Sequence, residues 1–226
     1  MEAPCYDYRY IRVREGLIGL TIYEWVVPGF WVYDVRDFLR PLGRYYGRGR
    51  FPRRWYSVHR AYGPTALPAY PRLRFLGIEE LYVFVEVSRD LSREELIEFF
   101  SGIGELCREE VMQGFRIIYF TDKVLAEHSY ECTAPPIPIE EPPKPNGEVR
   151  ASLRAVIGRL RKGFMAPMAP KAVILFTTLC FSEEEIKEFN ELLIQQAIRG
   201  VWVLPKAACR DNVKYVRDYA LVVNLS

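Results

Sequence analysis

The sequence predicts a mixed-sheet α/β fold, in which a β-rich N-terminal part is followed by two similar β-α-β units. An apolar run, a helix with a recognisable start and a second apolar run occur in residues 81–118 and again in residues 172–204. Strands that alternate with helices in this way indicate parallel β-α-β units. The 226-residue chain is 50% hydrophobic and 14% aromatic, so it can bury a substantial core.

The N-terminal part has the pattern of strands. Residues 6–10 alternate aromatic with polar side chains, and residues 16–33 are rich in β-branched and aromatic types. Alternation with a period of two is typical of a strand. Glu24 and Pro28 interrupt the apolar stretch, which argues against a membrane span. We therefore expect strands in residues 16–33 and no association with a membrane.

The two predicted β-α-β units share their helix starts. Ser92 and Ser182 each precede a helix and are followed three residues later by Glu95 and Glu185, at a constant offset of 90 residues. Serine followed by glutamate at this spacing is the capping box. The strand after each helix is expected to pair in parallel with the strand before it, through a right-handed connection.

Two glycines follow the predicted helices at similar positions. Gly114 and Gly200 precede the second apolar run of each unit, and we expect them to occupy the left-handed position that ends a helix. The shared pattern favours a pseudo-symmetric internal duplication. Two unrelated β-α-β units would nevertheless converge on the same caps and stops, so both interpretations stay open.

A proline-rich segment divides the chain. Residues 133–146 contain six prolines, which excludes a helix or a central strand and favours an extended spacer. We predict an N-terminal part with the first β-α-β unit in residues 1–132, a linker in 133–146, and a second part in 147–226 docked on the first. The second part begins with an amphipathic helix in residues 147–163, and it ends with a short helix in 209–218 and a strand in 219–225.

Composition indicates a thermophilic, cytoplasmic protein. The chain has 22 Glu and 24 Arg but only 3 Gln and 4 Asn, and sparse amides with abundant charge are typical of thermophiles. Its N-terminus lacks the pattern of a targeting segment. No two of the five cysteines have metal-knuckle spacing, so we expect buried thiols, with one or two disulfides possible in a thermophile. No cofactor motif is present, and none is predicted.

Charge is distributed unevenly along the chain. Residues 1–77 carry a net charge of +7, residues 78–146 carry −9, and residues 147–226 carry +4. A basic and an acidic segment could neutralise each other within one molecule or between copies in a homo-oligomer. The basic segment could instead bind a polyanion such as DNA or RNA.

Residues 36–60 are the most distinctive local feature. They hold eight arginines, interleaved aromatics and a single acid, Asp37. Arginine binds phosphate through two hydrogen bonds, and aromatic faces stack on unpaired bases. We therefore predict a non-catalytic, sequence-tolerant nucleic-acid-binding protein, with single strands as one candidate ligand. The predicted contact residues are Arg44, Arg48, Arg50, Arg53, Arg54, Tyr45, Tyr46, Phe51, Trp55 and Tyr56, with Arg150, Arg154 and Arg161 on the later helix.

Two alternatives remain open. Ligands of open parallel sheets bind beyond the carboxyl ends of the strands, where Asp90 and Asp122 could hold a magnesium ion for phosphoester cleavage. That enzyme would require both carboxylates to converge in one cleft. The other alternative is an assembly protein, whose basic segment docks on the acidic residues 78–110 of another copy. No catalytic residue or resident metal is assigned.

Overall fold

The fold was obtained as a computed structural model. It describes residues 8–15, 18–25, 31–42, 45–46, 74–75, 78, 81–88, 91–132, 139–140, 142–143, 150–163, 172–216 and 220–225. The described residues form a mixed α/β fold with a six-stranded mixed sheet, as the sequence predicts. Most of segment 36–60 lies outside the described residues.

Eleven strands and four α-helices are described. The strands are β1 (Tyr8–Glu15), β2 (Ile18–Trp25), β3 (Tyr45–Tyr46), β4 (Arg74–Phe75), β5 (Leu81–Glu86), β6 (Gly114–Phe120), β7 (Val124–Glu131), β8 (Ile139–Glu140), β9 (Ala172–Phe176), β10 (Arg199–Leu204) and β11 (Ala220–Asn224). The helices are α1 (Trp31–Leu39), α2 (Arg93–Arg108), α3 (Leu153–Gly163) and α4 (Glu183–Gln195). Two short 3-10 helices cover Arg40–Leu42 and Arg210–Tyr215.

The main sheet has the strand order β11-β10-β9-β5-β6-β7. All neighbours pair in parallel except β6 and β7, which form an antiparallel pair. The two predicted units therefore meet where β5 pairs with β9. From this central pair, the first unit extends to β6 and the second extends in the opposite direction to β10.

Helices cover both faces of this sheet, which explains why its parallel strands are continuous apolar runs. On one face α1 and α2 pack over Val83 and Val85, and on the other α3 and α4 pack over Phe84. All six residues of β5 and all five of β9 are buried. Because the two units run in opposite directions, helices on opposite faces give both connections the same hand.

Both unit helices begin with the predicted capping box. The Ser92 Oγ accepts a hydrogen bond from the Glu95 backbone N–H at 3.1 Å, and the Ser92 N–H donates to Glu95 Oε2 at 3.0 Å. The Ser182 and Glu185 pair repeats these two bonds at 3.3 and 3.4 Å. The prediction of the helix starts is confirmed, whereas an internal duplication stays a prediction.

The predicted helix ends were wrong. Glu110 (φ 56°) and Ala197 (φ 52°) occupy the left-handed positions, while Gly114 and Gly200 lie in the strands that follow. After α2 the N–H groups of Glu110 and Val111 donate to the carbonyls of Cys107 and Leu106. The same two bonds end α4, which makes both ends Schellman motifs without glycine.

Gly200 is explained by packing and not by backbone conformation. A Cβ at Gly200 would lie 2.7 Å from Leu193 Cδ1 and 3.2 Å from Ala220 Cβ. The glycine therefore allows α4 to approach the strand pair β10–β11 closely. The glycine at position 200 thus has a structural reason, which is the close contact between α4 and the sheet and not the end of the helix.

The N-terminal part is less regular than predicted. β1 and β2 form an antiparallel hairpin, and β8 adds in parallel to the outer side of β1. The strand prediction for residues 16–33 is wrong at its end, because Trp31 begins a helix whose buried side chains pack against α2. Within the proline-rich segment, β8 is an edge strand, and Ile139 is buried in the core of the α1 and α2 face.

The amphipathic helix of the second part also begins later than predicted. The amphipathic helix of residues 147–163 starts at Leu153, because Ser152 acts as its N-cap through a 3.2 Å hydrogen bond from the Arg154 N–H to Ser152 Oγ. The predicted short helix and last strand are present as the 3-10 helix Arg210–Tyr215 and β11.

Four of the five cysteines form two disulfides, a number that the sequence allowed, whereas the default expectation of buried free thiols is wrong for these four. Cys107 pairs with Cys132, and Cys180 pairs with Cys209. Each disulfide closes a loop of more than twenty residues. A closed loop of that size lowers the conformational entropy of the unfolded chain and so stabilises the folded state. Within the described residues, no helix is long and apolar enough to cross a membrane.

The corrected helix ends predict opposite effects for two substitutions. Ala197→Gly should stabilise the protein by about 0.5–1 kcal/mol, because glycine adopts a positive φ without strain. Gly200→Ala should destabilise it by about 1–2 kcal/mol, because the added Cβ crowds Leu193. Thermal unfolding of the two variants measures both effects. A destabilised Ala197→Gly together with a neutral Gly200→Ala would contradict the assignment.

Candidate functional site

The predicted Arg- and aromatic-rich segment leaves the described fold at a short ladder. Strand β3 pairs antiparallel with β4, with Tyr45 opposite Phe75 and Tyr46 opposite Arg74. Among the predicted contact residues of segment 36–60, only Tyr45 and Tyr46 are described. The others lie outside the described residues, namely Arg44, Arg48, Arg50, Phe51, Arg53, Arg54, Trp55 and Tyr56.

Both ends of this ladder lead to the amino edge of the main sheet, where its parallel strands begin. On one side, Arg199 at the start of β10 donates from Nη1 to the Phe38 carbonyl at 2.7 Å, and its guanidinium lies over the Phe38 ring. On the other side, Ile78 forms a parallel bridge with Met112, just before β6 begins. Strand β3 therefore follows, and strand β4 precedes, a residue that contacts the amino edge of the main sheet.

The chain between the two ladder strands is strongly basic. The 27 residues 47–73, which we call the basic connection, contain six arginines, five aromatic residues and no acid. Because Tyr46 and Arg74 are paired neighbours, the basic connection leaves and returns at one place on the fold.

The predicted helical arginines lie on the other face of the sheet. Arg150 precedes α3 and donates to the Cys180 carbonyl at 2.9 Å. Arg161 forms an exposed ion pair with Glu188 at 3.1 Å. Arg154 is exposed and forms no ion pair within the described part of the chain. Because α1 and α3 pack on opposite faces, α3 does not continue the surface beside α1.

A charged network holds α3 to the sheet. Glu127 of β7 accepts two hydrogen bonds from Arg159, at 2.6 and 2.7 Å, and one from Arg116 at 2.7 Å. Both guanidiniums also lie 5.4 Å from the centre of the Tyr82 ring. The hydrogen bonds from Arg159, and then those from Arg116, outweigh burial and lower the pKa of Glu127 to about 2. The same contact raises the pKa of Arg159.

The carboxyl edge of the sheet holds a buried polar cluster. Its centre lies between β5 and β9, where the two units diverge, which is the usual ligand position in open α/β sheets. Glu86 ends β5 and is only 4% exposed. It accepts hydrogen bonds from Thr177 Oγ1 at 2.5 Å, from the Thr178 N–H at 2.8 Å and from Thr178 Oγ1 at 3.0 Å.

The loop after β9 is fixed on several sides. Leu179 is buried at a φ of 58°, a strained conformation for leucine. Asn212 Nδ2 donates to the carbonyls of Leu179 and Phe181, and the Cys209 N–H donates to the Thr178 carbonyl at 2.8 Å. The disulfide of Cys209 with Cys180 closes the same region.

The two capping-box glutamates tie further segments to this edge. Glu95 closes its own box with Oε2, and its Oε1 accepts from the Lys206 N–H of the second unit at 2.7 Å. Glu185 likewise accepts a hydrogen bond from Ser152 Oγ at its Oε1. Burial opposes ionisation of Glu95, but the backbone bonds from Lys206 and Ser92 leave its pKa below the usual value.

This arrangement resembles an internal staple more than an open binding site. A carboxylate occupies the position where the backbone and hydroxyl donors of the Thr177–Thr178 loop could otherwise meet an external anion. Sequence reasoning missed Glu86. The available signal was a single acid near the end of an otherwise apolar predicted strand, since a fully buried strand seldom contains a charge.

The metal-dependent alternative has gained no support at this edge. Asp122 is exposed and accepts from Thr121 Oγ1 at 3.0 Å, and Asp90 lies outside the described residues. Within the described ranges, no group of three His, Cys, Asp or Glu could hold a metal ion. The enzyme and assembly alternatives therefore stay predictions.

Comparison with known proteins assigns no family. No protein-family model matches the chain, and no curated protein matches it.

The low pKa of Glu127 predicts acid-sensitive stability. Folding stabilises the ionised form, so its contribution is complete above the ordinary value of 4.5 and disappears as the pH falls toward about 2. Glu127→Gln should cost on the order of 1–2 kcal/mol at pH 7, after allowance for solvent screening, and almost nothing at about pH 2. Chemical unfolding at both pH values measures this difference, with exposed Glu131→Gln on the same strand as control. An equal cost at both pH values would contradict the network.

The Glu86 staple predicts a loss of stability on truncation. Glu86→Ala leaves the buried donors of Thr177 and Thr178 without an acceptor and should destabilise the protein by roughly 1–3 kcal/mol. Glu86→Gln keeps one acceptor oxygen and should cost less. Exposed Glu191→Ala is the control, and urea unfolding is the measurement. A neutral Glu86→Ala would contradict a stapling role.

Proposed function

We propose that the protein is a non-catalytic, sequence-tolerant nucleic-acid-binding protein that contacts its ligand through the basic connection of residues 47–73. The phosphates are neutralised by its arginines, and unpaired bases stack on its aromatic rings. The observation that carries this proposal is the β3–β4 ladder, which closes a connection with six arginines and no acid.

The ladder supports the proposal because it pairs the residues at the two ends of the arginine-rich connection. Six arginines without an acid between two paired residues concentrate like charge in one short stretch of chain, and such a concentration raises the local positive potential. Polyanion binding releases counterions from such a surface, so the affinity should fall steeply as salt increases.

The contacts of several acids also favour the proposal over internal neutralisation. Glu127 is bonded to Arg116 and Arg159, Glu86 to two threonines, and Glu105 to Arg108. These carboxylates of the acidic middle segment are satisfied by residues outside the basic connection. This part of the negative charge is thus bonded within the described residues, which favours an external counter-charge for the arginines of the basic connection.

The test is the binding of labelled single- and double-stranded oligonucleotides, followed by fluorescence anisotropy over a salt series. We expect affinity that falls by a factor of roughly 10³ or more between about 50 and 200 mM salt if six or more phosphates are contacted. Replacing Arg48, Arg50, Arg53 and Arg54 with alanine should weaken binding similarly for all sequences. Tighter binding of single strands would implicate Phe51, Trp55 and Tyr56.

The matched control removes four exposed cations from the carboxyl edge. Arg93, Lys123, Lys206 and Arg210 change to alanine with the same loss of charge, and affinity should stay close to that of the wild type. Equal losses in the two quadruple variants would show an unspecific effect of net charge. Absence of binding by the wild type at low salt would contradict the proposal and direct attention to self-assembly.

A further inference from the structure

The solvent face of α3 combines exposed cations with an open helical backbone. Arg154, Gly158 and Lys162 are spaced four residues apart and therefore share one face of the helix, which we call the α3 stripe. Arg154 and Lys162 are exposed, and Gly158 is partly exposed. The helix has four cations and no acid.

Gly158 is unfavourable for the helix and is not required by packing. Glycine in a helix interior is destabilising relative to alanine because its backbone loses more freedom on folding. Among the described residues, a Cβ at Gly158 would have no atom within 4 Å, whereas one at Gly102 would lie 2.0 Å from the Trp31 ring. Gly102 is therefore explained by close packing, and Gly158 is not.

Arg154 is a second locally unfavourable choice on the same face. It lies in the first turn of α3, where the positive end of the helix dipole disfavours a cation. No ion pair compensates it among the described residues. Lys162, by contrast, lies in the last turn, where the dipole favours it. Residues that oppose local stability without a packing reason are expected at functional surfaces.

We infer that the α3 stripe is a contact site for the sugar-phosphate backbone of a nucleic acid. Glycine permits close approach of a ligand to the helix backbone, and Arg154 and Lys162 can then bind phosphates on either side of Gly158. The inference rests on the proposed function for the class of ligand. It adds a second contact surface, on the face of the sheet opposite to α1.

The experiment compares two open glycines in the same anisotropy assay. Gly158→Ala should raise the Tm by about 1–4 °C, as expected for glycine to alanine in a helix, and should weaken binding about threefold or more because a methyl group blocks the approach. Gly104→Ala is the matched control, since a Cβ there also meets no atom of the described residues within 4 Å. It should raise the Tm without changing affinity, because Gly104 does not lie between two cations: Phe100 precedes it by four residues, and Arg108, four residues after it, is ion-paired with Glu105.

Arg154→Ala with Lys162→Ala tests the charges of the stripe and should reduce the salt slope by about 1–2. Wild-type affinity in both this double variant and Gly158→Ala would overturn the inference. If only the quadruple arginine variant of the basic connection loses binding, the proposed function stands and the stripe is not a contact. If only the stripe variants lose binding, the α3 stripe is a contact site and the basic connection is not. Absence of wild-type binding removes both.

Discussion

The parallel pairing of β5 with β9 is the constraint on which the rest of the sheet depends. It joins Tyr82–Val85 of the first unit to Val173–Phe176 of the second. Within the described residues, no other strand pair of the main sheet connects chain before the proline-rich segment to chain after it.

Side chains stabilise the β5–β9 pair on both faces of the sheet and at its carboxyl end. The Phe99 ring of α2 stacks on Phe176 of β9 with centroids 4.5 Å apart, and Phe84 of β5 belongs to the core beneath α3 and α4. Glu86 then binds Thr177 and Thr178 directly after the paired residues. Each unit thus supplies part of the core of the other.

The two edges of the main sheet differ in their polar groups. At the carboxyl edge, where such folds usually bind ligands, the donors are satisfied by an internal carboxylate and the loop is closed by a disulfide. At the amino edge, Arg199 and Met112 anchor residues on both sides of the ladder that carries the basic connection. The proposed nucleic-acid contact through the basic connection is therefore not at the usual ligand-binding edge of an α/β sheet.

The parts of the fold that local sequence controls could be predicted. The capping boxes, the parallel strands and the apolar arc of α3 follow from hydrogen-bonding groups and periodicity within a few residues. The helix ends could not be predicted in the same way. At Glu110 and Ala197 the following strand fixes the chain direction, so tertiary packing imposes a positive φ on residues that do not favour it.

The candidate functional sites also differ in whether local sequence defines them. The basic connection is visible in composition, because its charge density does not depend on the fold. The Glu86 cluster is not, because it joins residues about ninety positions apart and depends on which strands become neighbours. The disulfides were likewise undefined, since five cysteines permit many pairings and only the fold selects among them.

Photo-crosslinking of a bound single-stranded oligonucleotide, with the crosslinked peptides mapped by mass spectrometry, tests most directly where the ligand binds. The account predicts crosslinks in residues 47–73 and in peptides of α3. Crosslinks concentrated at the carboxyl edge, around Glu86, Thr177 and Lys206, would contradict it and would show that the buried cluster opens to bind the ligand.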